Sequence, residues 1–435
     1  MGARSGEGPT RPRPKNEEDE KDLTEESFSA LAEVAVSVGV ALRAGQKLVI
    51  SVPSLDGAPL VRSVVAKAYE VGALDVLVLW QDERSVRLRL EKATDDALAY
   101  FPTFMAKGLE AYAQEGAAFL TVAAFNPDLF AGLDAGRVGT AIKAAQTAQR
   151  GLHPYMMEPR VAWSIIAAPT PEWAKKVFPG EELDRAVERL WEVVARASRV
   201  DGADPVGDWE RHARNLRTKA EALNQARIRK LLYRGPGTDL SVELPEGHLW
   251  VTAGQEDARG TAFVANIPTE EVFTLPQRDG VNGTVRSTRP LSYGGVVIEN
   301  MHFTFRDGCI VDYGADAGCE TLRQLVSTDD GSRFLGEVAL VPVDSPIAKL
   351  GFLFYNTLFD ENASCHLAIG RAVGFTLKDG RTVAGDEALR SRGANTSVTH
   401  VDFMMGSTEL DIDALTASGS TIPVFRSGRW AGTFA

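Results

Sequence analysis

The segment KLVISVPSLDGAPLVRSVVAKAYEVGALDVLVLW, residues 47–80, decides the fold class of this chain. Its two ends, KLVISV (47–52) and DVLVLW (75–80), carry apolar side chains on both strand faces, which is typical of buried strands. Between them, apolar residues recur at helical spacing, at Leu60, Val61, Val64, Val65 and Ala68. A strand, a helix and a second strand in this order predict a βαβ unit, whose strands pair in parallel.

The same alternation continues along the first half of the chain. Apolar runs at 117–122 and 161–168 predict two further buried strands, and helical stretches separate them. Residues 1–24 are polar, charged and rich in proline, so we expect a disordered tail and order from near Glu25. We therefore predict an N-terminal α/β domain with a mainly parallel sheet over residues 25–225.

The second half of the chain has a different pattern. After a charged helix, residues 235–435 contain many Gly and Asn turns and short alternating strands, such as Gly295–Ile298 and Phe303–Phe305. This pattern predicts a strand-rich α+β domain over residues 226–435. The overall fold class is therefore α/β, with a domain boundary near residue 225.

Composition narrows the classes of function. The formal net charge of −12 disfavours nucleic acid as a partner, because phosphate binding needs clustered Lys and Arg. No apolar run approaches the roughly 20 residues that span a bilayer, so we expect no membrane association. The chain has three cysteines, and this small, odd number favours a cytoplasmic protein over a disulfide-linked one. No P-loop, HExxH, GxSxG or CxxC motif occurs.

Glu337 is the most informative single residue. It lies in LGEVALV (335–341), where an acid interrupts a strand that is otherwise apolar on both faces. An ionised carboxylate in such a place needs a partner or a metal ion. The alternative is a half-exposed edge strand, in which Glu337 would face water.

Two of the six histidines have neighbours that suit metal binding. His366 follows the acids of DENASC (360–365), and His400 lies in THVDF (399–403). Alternation along a strand places His400 and Asp402 on one face, so both can reach one ion or two adjacent ions. The alternative is that each is an ordinary hydrogen-bonded histidine.

Two pairs of adjacent residues are further candidates for a chemical role. The adjacent acids Glu270 and Glu271 could be ligands, although a capping arrangement near an apolar run is an equally simple interpretation. Cys365 beside His366 could indicate a thiol nucleophile. Adjacent residues on a strand point to opposite faces, however, and this disfavours a catalytic pair.

Four ordered motifs resemble one known family. They are NIPTEEVFT (266–274), LGEVALV (335–341), NTLFDENASCHLAIG (356–370) and HVDFMMG (400–406). They resemble the thermophilic aminopeptidase family, also called aminopeptidase T or peptidase family M29, over roughly residues 25–435. The resemblance implies a two-domain α/β enzyme, usually a homodimer, that uses a pair of divalent cations to remove N-terminal residues from peptides.

The resemblance also implies a set of site residues. Matched by motif position, the metal ligands are Glu271, Glu337, His366, His400 and Asp402. Glu337 is the candidate bridge or general base, and the nearby Glu361 is the candidate second acid/base or outer ligand. Glu271 matches better than Glu270, although a slip of one residue stays open. The cations expected are Zn, Co, Mn or Mg, two per chain.

One position departs from the family pattern. The family has a tyrosine seven residues after the motif histidine, whereas this chain has Val373. The phenol could donate a hydrogen bond to the tetrahedral oxyanion, and Arg371 or Tyr355 could supply a donor instead. The departure keeps an alternative open, namely a non-peptidase metalloenzyme on the same scaffold. It would be either another small-amide hydrolase or a mononuclear iron dioxygenase.

Overall fold

A parallel sheet forms the centre of the first half of the chain. The computed structural model describes residues 17–380, 383 and 385–435. The first four strands are β1 (Lys47–Val52), β2 (Asp75–Trp80), β3 (Ala118–Ala123) and β4 (Trp163–Ala167). They lie in the order β2-β1-β3-β4, and every neighbouring pair is parallel. The mainly parallel N-terminal sheet predicted from the sequence is therefore confirmed.

Helices cover both faces of this sheet. They are α1 (Glu17–Val34), α2 (Ala58–Glu70), α3 (Glu83–Lys92), α4 (Asp95–Leu98), α5 (Thr103–Gln114), α6 (Ala135–Ala148), α7 (His153–Met157), α8 (Pro171–Val177), α9 (Leu183–Ala197) and α10 (Pro205–Gln225). Leu48 and Ile50 of β1 belong to the larger core, whereas Val49 packs on the opposite face with Phe119. Burial on both sides explains why the strands are continuously apolar.

The first helix begins earlier in the sequence than we expected. Helix α1 starts at Glu17, whereas the composition predicted order only from near Glu25. Residues 1–16 of the predicted tail lie outside the described residues. At the other end of this half, α10 ends at Gln225 and the next strand starts at Ile228. The division into two domains at residue 225 stays a prediction.

The second half contains two larger antiparallel sheets. Its strands are β5 (Ile228–Gly235), β6 (Thr238–Glu243), β7 (Gly254–Glu256), β8 (Ala262–Val264), β9 (Val272–Thr274), β10 (Val281–Arg286), β11 (Leu291–Tyr293), β12 (Val296–Ile298), β13 (His302–Arg306), β14 (Cys309–Gly314), β15 (Leu335–Leu340), β16 (His366–Gly370), β17 (His400–Met404), β18 (Asp411–Thr416), β19 (Thr421–Arg426) and β20 (Arg429–Trp430). Eight strands form the sheet β14-β13-β10-β6-β5-β18-β19-β20, and four form the sheet β17-β16-β15-β9.

Few helices accompany these strands. They are α11 (Cys319–Val326), α12 (Thr357–Asp360) and α13 (Asp386–Arg390). The two larger sheets share a second hydrophobic core, in which the rings of Phe303 and Phe403 lie 4.8 Å apart. The strand-rich α+β half predicted from the sequence is confirmed.

The two halves are packed against each other. Trp173 of α8 is fully buried, and its indole nitrogen donates a hydrogen bond to the carbonyl of Phe354 at 2.5 Å. A backbone bridge joins Ile165 of β4 to Asn266, a few residues before β9. The segments beside β9 and β16 are thus anchored to the N-terminal half. Within the described residues, no helix is long and apolar enough to cross a membrane.

Candidate metal centre

The four-stranded sheet β17-β16-β15-β9 aligns the acids and histidines on one face. In its register, Ala368 of β16 lies opposite both Glu337 of β15 and Asp402 of β17. Gly370 lies opposite His400. Alternation sends Val338, Leu367 and Phe403 to the hydrophobic core, so their neighbours face the other way. The small residues at 368 and 370 leave space between the polar side chains.

Two groups of ligand-type atoms converge there. The first contains Glu271, Glu337 and His366, with Nε2 of His366 3.1 Å from Oε2 of Glu271 and 3.6 Å from Oε1 of Glu337. The second contains Glu337, His400 and Asp402, with Nε2 of His400 3.8 Å from Oε2 of Glu337 and 3.6 Å from Oδ1 of Asp402. Glu337 belongs to both groups, and a different oxygen faces each histidine.

Backbone carbonyls orient both imidazole rings. Nδ1 of His366 donates a hydrogen bond to the carbonyl of Ser364 at 3.1 Å, and Nδ1 of His400 donates one to the carbonyl of Arg371 at 2.7 Å. A carbonyl only accepts, so each Nδ1 carries a hydrogen, and Nε2 is the ring nitrogen that faces the carboxylates. Such bonds to the second ring nitrogen are typical of metal-binding histidines.

The electrostatics of the centre follow from crowded, buried charge. Burial raises the pKa of Glu337, and the neighbouring carboxylate of Glu271 adds to the increase. Burial lowers the pKa of His400, but the carboxylate of Asp402 more than compensates and raises that pKa to about 10. The side chain of His400 is 34% exposed, whereas those of the other four predicted ligands are at most 8% exposed. The centre therefore opens to solvent beside His400.

The donor set fits divalent cations. Imidazole nitrogen and carboxylate oxygen are the ligands that zinc and similar cations take in proteins. Three buried carboxylates meet only two histidines, which leaves negative charge that a cation would neutralise. Oδ1 of Asp402 is fully buried, and no hydrogen-bond partner for it occurs among the described residues. A buried carboxylate oxygen that accepts no hydrogen bond is costly, and a bound cation would reduce that cost.

Glu361 lies beside the two groups but belongs to neither. It starts a short 3-10 turn, Glu361–Ala363, directly after α12. Burial raises the pKa of its carboxyl well above the usual value, and the charges of Asp402 and Glu271 add to this. The amide of Asn362 lies 3.4 Å from Oε1 of Glu361. The role of Glu361 as an outer acid or base stays a prediction.

The adjacent acids Glu270 and Glu271, which directly precede β9, have different surroundings. Glu271 faces His366, whereas the carboxylate of Glu270 accepts a hydrogen bond from Arg199 and lies 3.8 Å from Nε2 of His212. The geometry thus favours Glu271 over Glu270 as the ligand. Arg199 and His212 were not predicted from the sequence, because their partners lie more than fifty positions away in the chain.

Other residues considered from the sequence have different surroundings. The thiol of Cys365 donates to the backbone carbonyl of Val341, and burial raises its pKa to about 11, so it does not suit a nucleophile. The guanidinium of Arg371 donates hydrogen bonds to the carboxylate of Asp386 at 3.1 Å and to the carbonyl of Ser397 at 2.7 Å. Asn362, which links Glu361 to Glu270, was also not predicted as a site residue, although it lies within the motif at 356–370.

Comparisons with known proteins identify the family of this chain. The family model described as thermophilic metalloprotease (M29) matches residues 24–430. Aminopeptidase AmpS of Bacillus subtilis (strain 168) is 46% identical over 410 residues, which span 94% of this chain and 100% of that protein. Aminopeptidase T of Thermus aquaticus is 43% identical over 409 residues, which span 94% and 99%.

A solved structure has the same fold. Wild-type AmpT from Thermus thermophilus superposes with a TM-score of 0.88 at 41% sequence identity, and the match covers 94% of this chain and 100% of that one. The matched region includes both groups of ligand-type residues, since the family model spans residues 24–430. The chain therefore belongs to the thermophilic metalloprotease (M29) family.

Proposed function

We propose that this chain is a metal-dependent aminopeptidase, which hydrolyses the N-terminal residue from peptides at a centre of two divalent cations. The observation that carries the proposal is the shared carboxylate of Glu337. Its Oε1 lies 3.6 Å from His366 and its Oε2 lies 3.8 Å from His400, so one side chain joins two ligand groups. A bridging carboxylate of this kind is typical of two-metal hydrolytic sites.

The ligands divide between the two groups as the geometry suggests. Glu271 and His366 would hold one cation, His400 and Asp402 the other, and Glu337 would bind both. Zinc, cobalt, manganese and magnesium are the candidate metals, since the donors are nitrogen and carboxylate oxygen. When bound, such cations polarise the scissile carbonyl and make water a stronger nucleophile.

The remaining chemistry falls to the side chains around the ligands. Glu361 is the candidate to accept a proton from the attacking water and to return it to the leaving amine. It lies outside both ligand groups, yet it interacts electrostatically with Asp402 and Glu271. Burial holds its pKa well above the ordinary value, so this carboxyl takes up a proton more readily than an exposed glutamate does. Glu337 is the alternative general base.

The relatives support the choice of substrate. Those found at 40–46% identity are named aminopeptidases, and nothing found favours another amide substrate or a dioxygenase. We further propose that the chain forms a homodimer in the cytoplasm and has no nucleic acid partner. The resemblance to the family supports the dimer, the net charge of −12 disfavours nucleic acid, and the three free cysteines suit a reducing compartment.

Hydrolysis of amino-acid arylamides tests the proposed function. The purified protein should release arylamine from substrates with a free α-amine, and it should not act on the matched N-acetylated substrates. Prolonged chelation should abolish this activity, and added Co²⁺ or Zn²⁺ should restore it. Full activity after verified removal of metal, or equal activity on the acetylated substrates, would contradict the proposal.

A further inference from the structure

Two side chains of the N-terminal half contact the segment that leads into Glu271. Arg199 follows the end of α9 at Ala197, and its guanidinium donates a hydrogen bond to Oε1 of Glu270. His212 lies in α10, and its Nε2 donates a hydrogen bond to the carbonyl of Thr269 at 2.8 Å. Thr269 and Glu270, which precede Glu271, are therefore contacted by two different side chains of the N-terminal half.

The contacts lie on the opposite side of the backbone from the metal centre. The side chain of Glu271 points to His366, and that of Glu270 points to Arg199. The direction of Glu271 therefore depends on the backbone at Thr269 and Glu270. A ligand must be held to within a fraction of an ångström for tight binding, so whatever fixes this backbone fixes the ligand.

The same segment is also held from the C-terminal half. The backbone N–H of Glu270 donates to Oδ1 of Asn362 at 2.7 Å, and the amide nitrogen of Asn362 donates to the carbonyl of Leu358 at 2.9 Å. Asn362 is completely buried. Asn362 contacts only the backbone N–H of Glu270 in this segment. The carboxylate of Glu270 and the carbonyl of Thr269 are bound instead by Arg199 and His212.

The ion pair is buried enough to act as a fixed contact. The side chain of Glu270 is 5% exposed and that of Arg199 is 23% exposed. Breaking a buried pair by removing one partner is costly, because it leaves an uncompensated charge, whereas exposed pairs contribute little. Removal of Arg199 is therefore expected to leave the carboxylate of Glu270 without this cationic partner and to shift the segment.

We propose that Arg199 and His212 are positioning residues, which fix Glu271 in its ligand group through Thr269 and Glu270. This inference rests on the proposed two-cation centre, and it assigns the N-terminal half a role in metal binding. The proposed positioning role also concerns only one of the two ligand groups. Glu271 belongs with Glu337 and His366, and not with His400 and Asp402. Loss of either positioning residue should weaken one of two binding steps and leave the other unchanged.

Titration of the metal-free protein with Co²⁺ tests the inference. Binding would be followed by calorimetry, and the coordination geometry by the visible absorption of the bound cobalt. We expect Arg199→Gln and His212→Gln to weaken one binding step by about 10- to 100-fold and to alter the cobalt spectrum. The matched control is Arg196→Gln, which removes an exposed guanidinium from the last turn of α9. It should bind Co²⁺ like the wild type.

Glu271→Gln serves as the reference that separates the two levels of the proposal. If Glu271→Gln leaves both binding steps unchanged, the proposed centre itself is wrong. If it weakens one step while Arg199→Gln and His212→Gln weaken neither, the positioning role is wrong and the centre stands. Equal weakening of both steps by the positioning variants would also overturn the inference, because it would indicate a general loss of structure.

Two further variants guard against misfolding. The double variant Arg199→Gln/Glu270→Gln leaves no unpaired buried charge, so it replaces Arg199→Gln if that protein does not fold. It should still weaken one step, because an amide pair holds the segment less firmly than an ion pair does. Arg199→Lys keeps the charge and should restore part of the affinity. Wild-type affinity in the double variant would overturn the inference.

Discussion

Oε2 of Glu337 lies 3.8 Å from Nε2 of His400, although the strands that carry them are separated by a third strand. The contact crosses β16 where that strand contributes only Ala368 and Gly370 to the shared face. The other oxygen of Glu337 faces His366. The ability of Glu337 to join two ligand groups therefore depends on small residues in the middle of the sheet.

Replacing Glu337 should abolish turnover without unfolding the protein. Glu337→Gln keeps the shape of the side chain but removes the charge that both groups share, so we expect turnover to fall by at least about 100-fold. Steady-state rates and circular dichroism would be measured together. The control is Glu299→Gln, which makes the same change at an exposed surface position. An active, metal-replete Glu337→Gln protein would refute the shared role.

Metal removal should destabilise the protein most strongly at high pH. In the metal-free state, burial raises the pKa of Glu337, and Asp402 raises that of His400 to about 10 despite burial. A raised pKa in the folded state gives stability at low pH that is lost as the pH rises through that value. The melting temperature of the chelated protein should therefore fall from about pH 5 towards pH 9.

The metal-loaded protein serves as the comparison for this pH series. Bound cations compensate the buried carboxylates and stabilise the folded state in proportion to their affinity. The gap between the melting temperatures of the loaded and chelated proteins should therefore widen as the pH rises. A constant gap across this range, measured by calorimetry, would show that these carboxylates do not bind the cations.

Asp329 should stabilise the loop that precedes His400. Its carboxylate accepts hydrogen bonds from Ser332, from the hydroxyl of Ser397 at 2.7 Å and from the backbone N–H of Val398 at 2.7 Å. Burial would raise the pKa of Asp329, but these bonds outweigh burial and lower it below 3.8. We expect Asp329→Asn to reduce the free energy of unfolding at pH 7 by about 1–2 kcal/mol.

The pH dependence distinguishes this role from simple packing. A lowered pKa gives stability that is present above the ordinary value of the group and is lost as the pH falls through the folded value. Urea unfolding of the wild type and Asp329→Asn should therefore differ at pH 7 and converge as the pH falls below about 3.8. A difference that persists unchanged under acid conditions would contradict the assignment.

A tyrosine at position 373 should raise the rate of hydrolysis. Val373 is half-buried and lies two residues after Arg371, whose carbonyl binds His400. Because Asp386 and Ser397 accept hydrogen bonds from the guanidinium of Arg371, that side chain is held in contacts other than one to the oxyanion. We expect Val373→Tyr to increase kcat by up to about 100-fold with little change in KM, because the new bond forms mainly in the transition state.

Val373→Phe is the matched control for the added donor. It brings the same ring without the hydroxyl, so it should leave kcat unchanged or lower it by crowding the site. A rate that is equal for Val373→Tyr and Val373→Phe would show that bulk, rather than hydrogen bonding, governs this position. An unchanged rate in Val373→Tyr would indicate that another group already supplies the donor.

Local sequence patterns predicted the parallel sheet for a clear physical reason. Strand 47–52 is apolar on both faces because helices cover both sides of the sheet. Strand 75–80 was predicted to be buried as well, but it lies at the edge of the sheet and is only half-buried. Glu337 stood out because a buried acid is costly in an otherwise apolar strand. Strand alternation alone predicted that His400 and Asp402 share one face, and their assignment as metal ligands stays a prediction.

Other features depend on contacts that no local pattern encodes. Arg199 and His212 reach Glu270 and Thr269 only after the two halves of the chain have packed together. The choice between Glu270 and Glu271 needed the same packing, because both acids are buried and differ only in the direction they face. Helix α1 extends to Glu17, through a charged stretch that composition alone assigned to a tail.

The number of metal ions bound by one chain tests the central claim most directly. The measurement is elemental mass spectrometry on purified protein after dialysis against dilute metal, normalised to protein concentration. We expect two zinc, cobalt or manganese ions per wild-type chain, and fewer for His366→Ala and for Asp402→Asn, which each remove a ligand from one group. A single iron ion per chain, or no bound metal, would contradict the account.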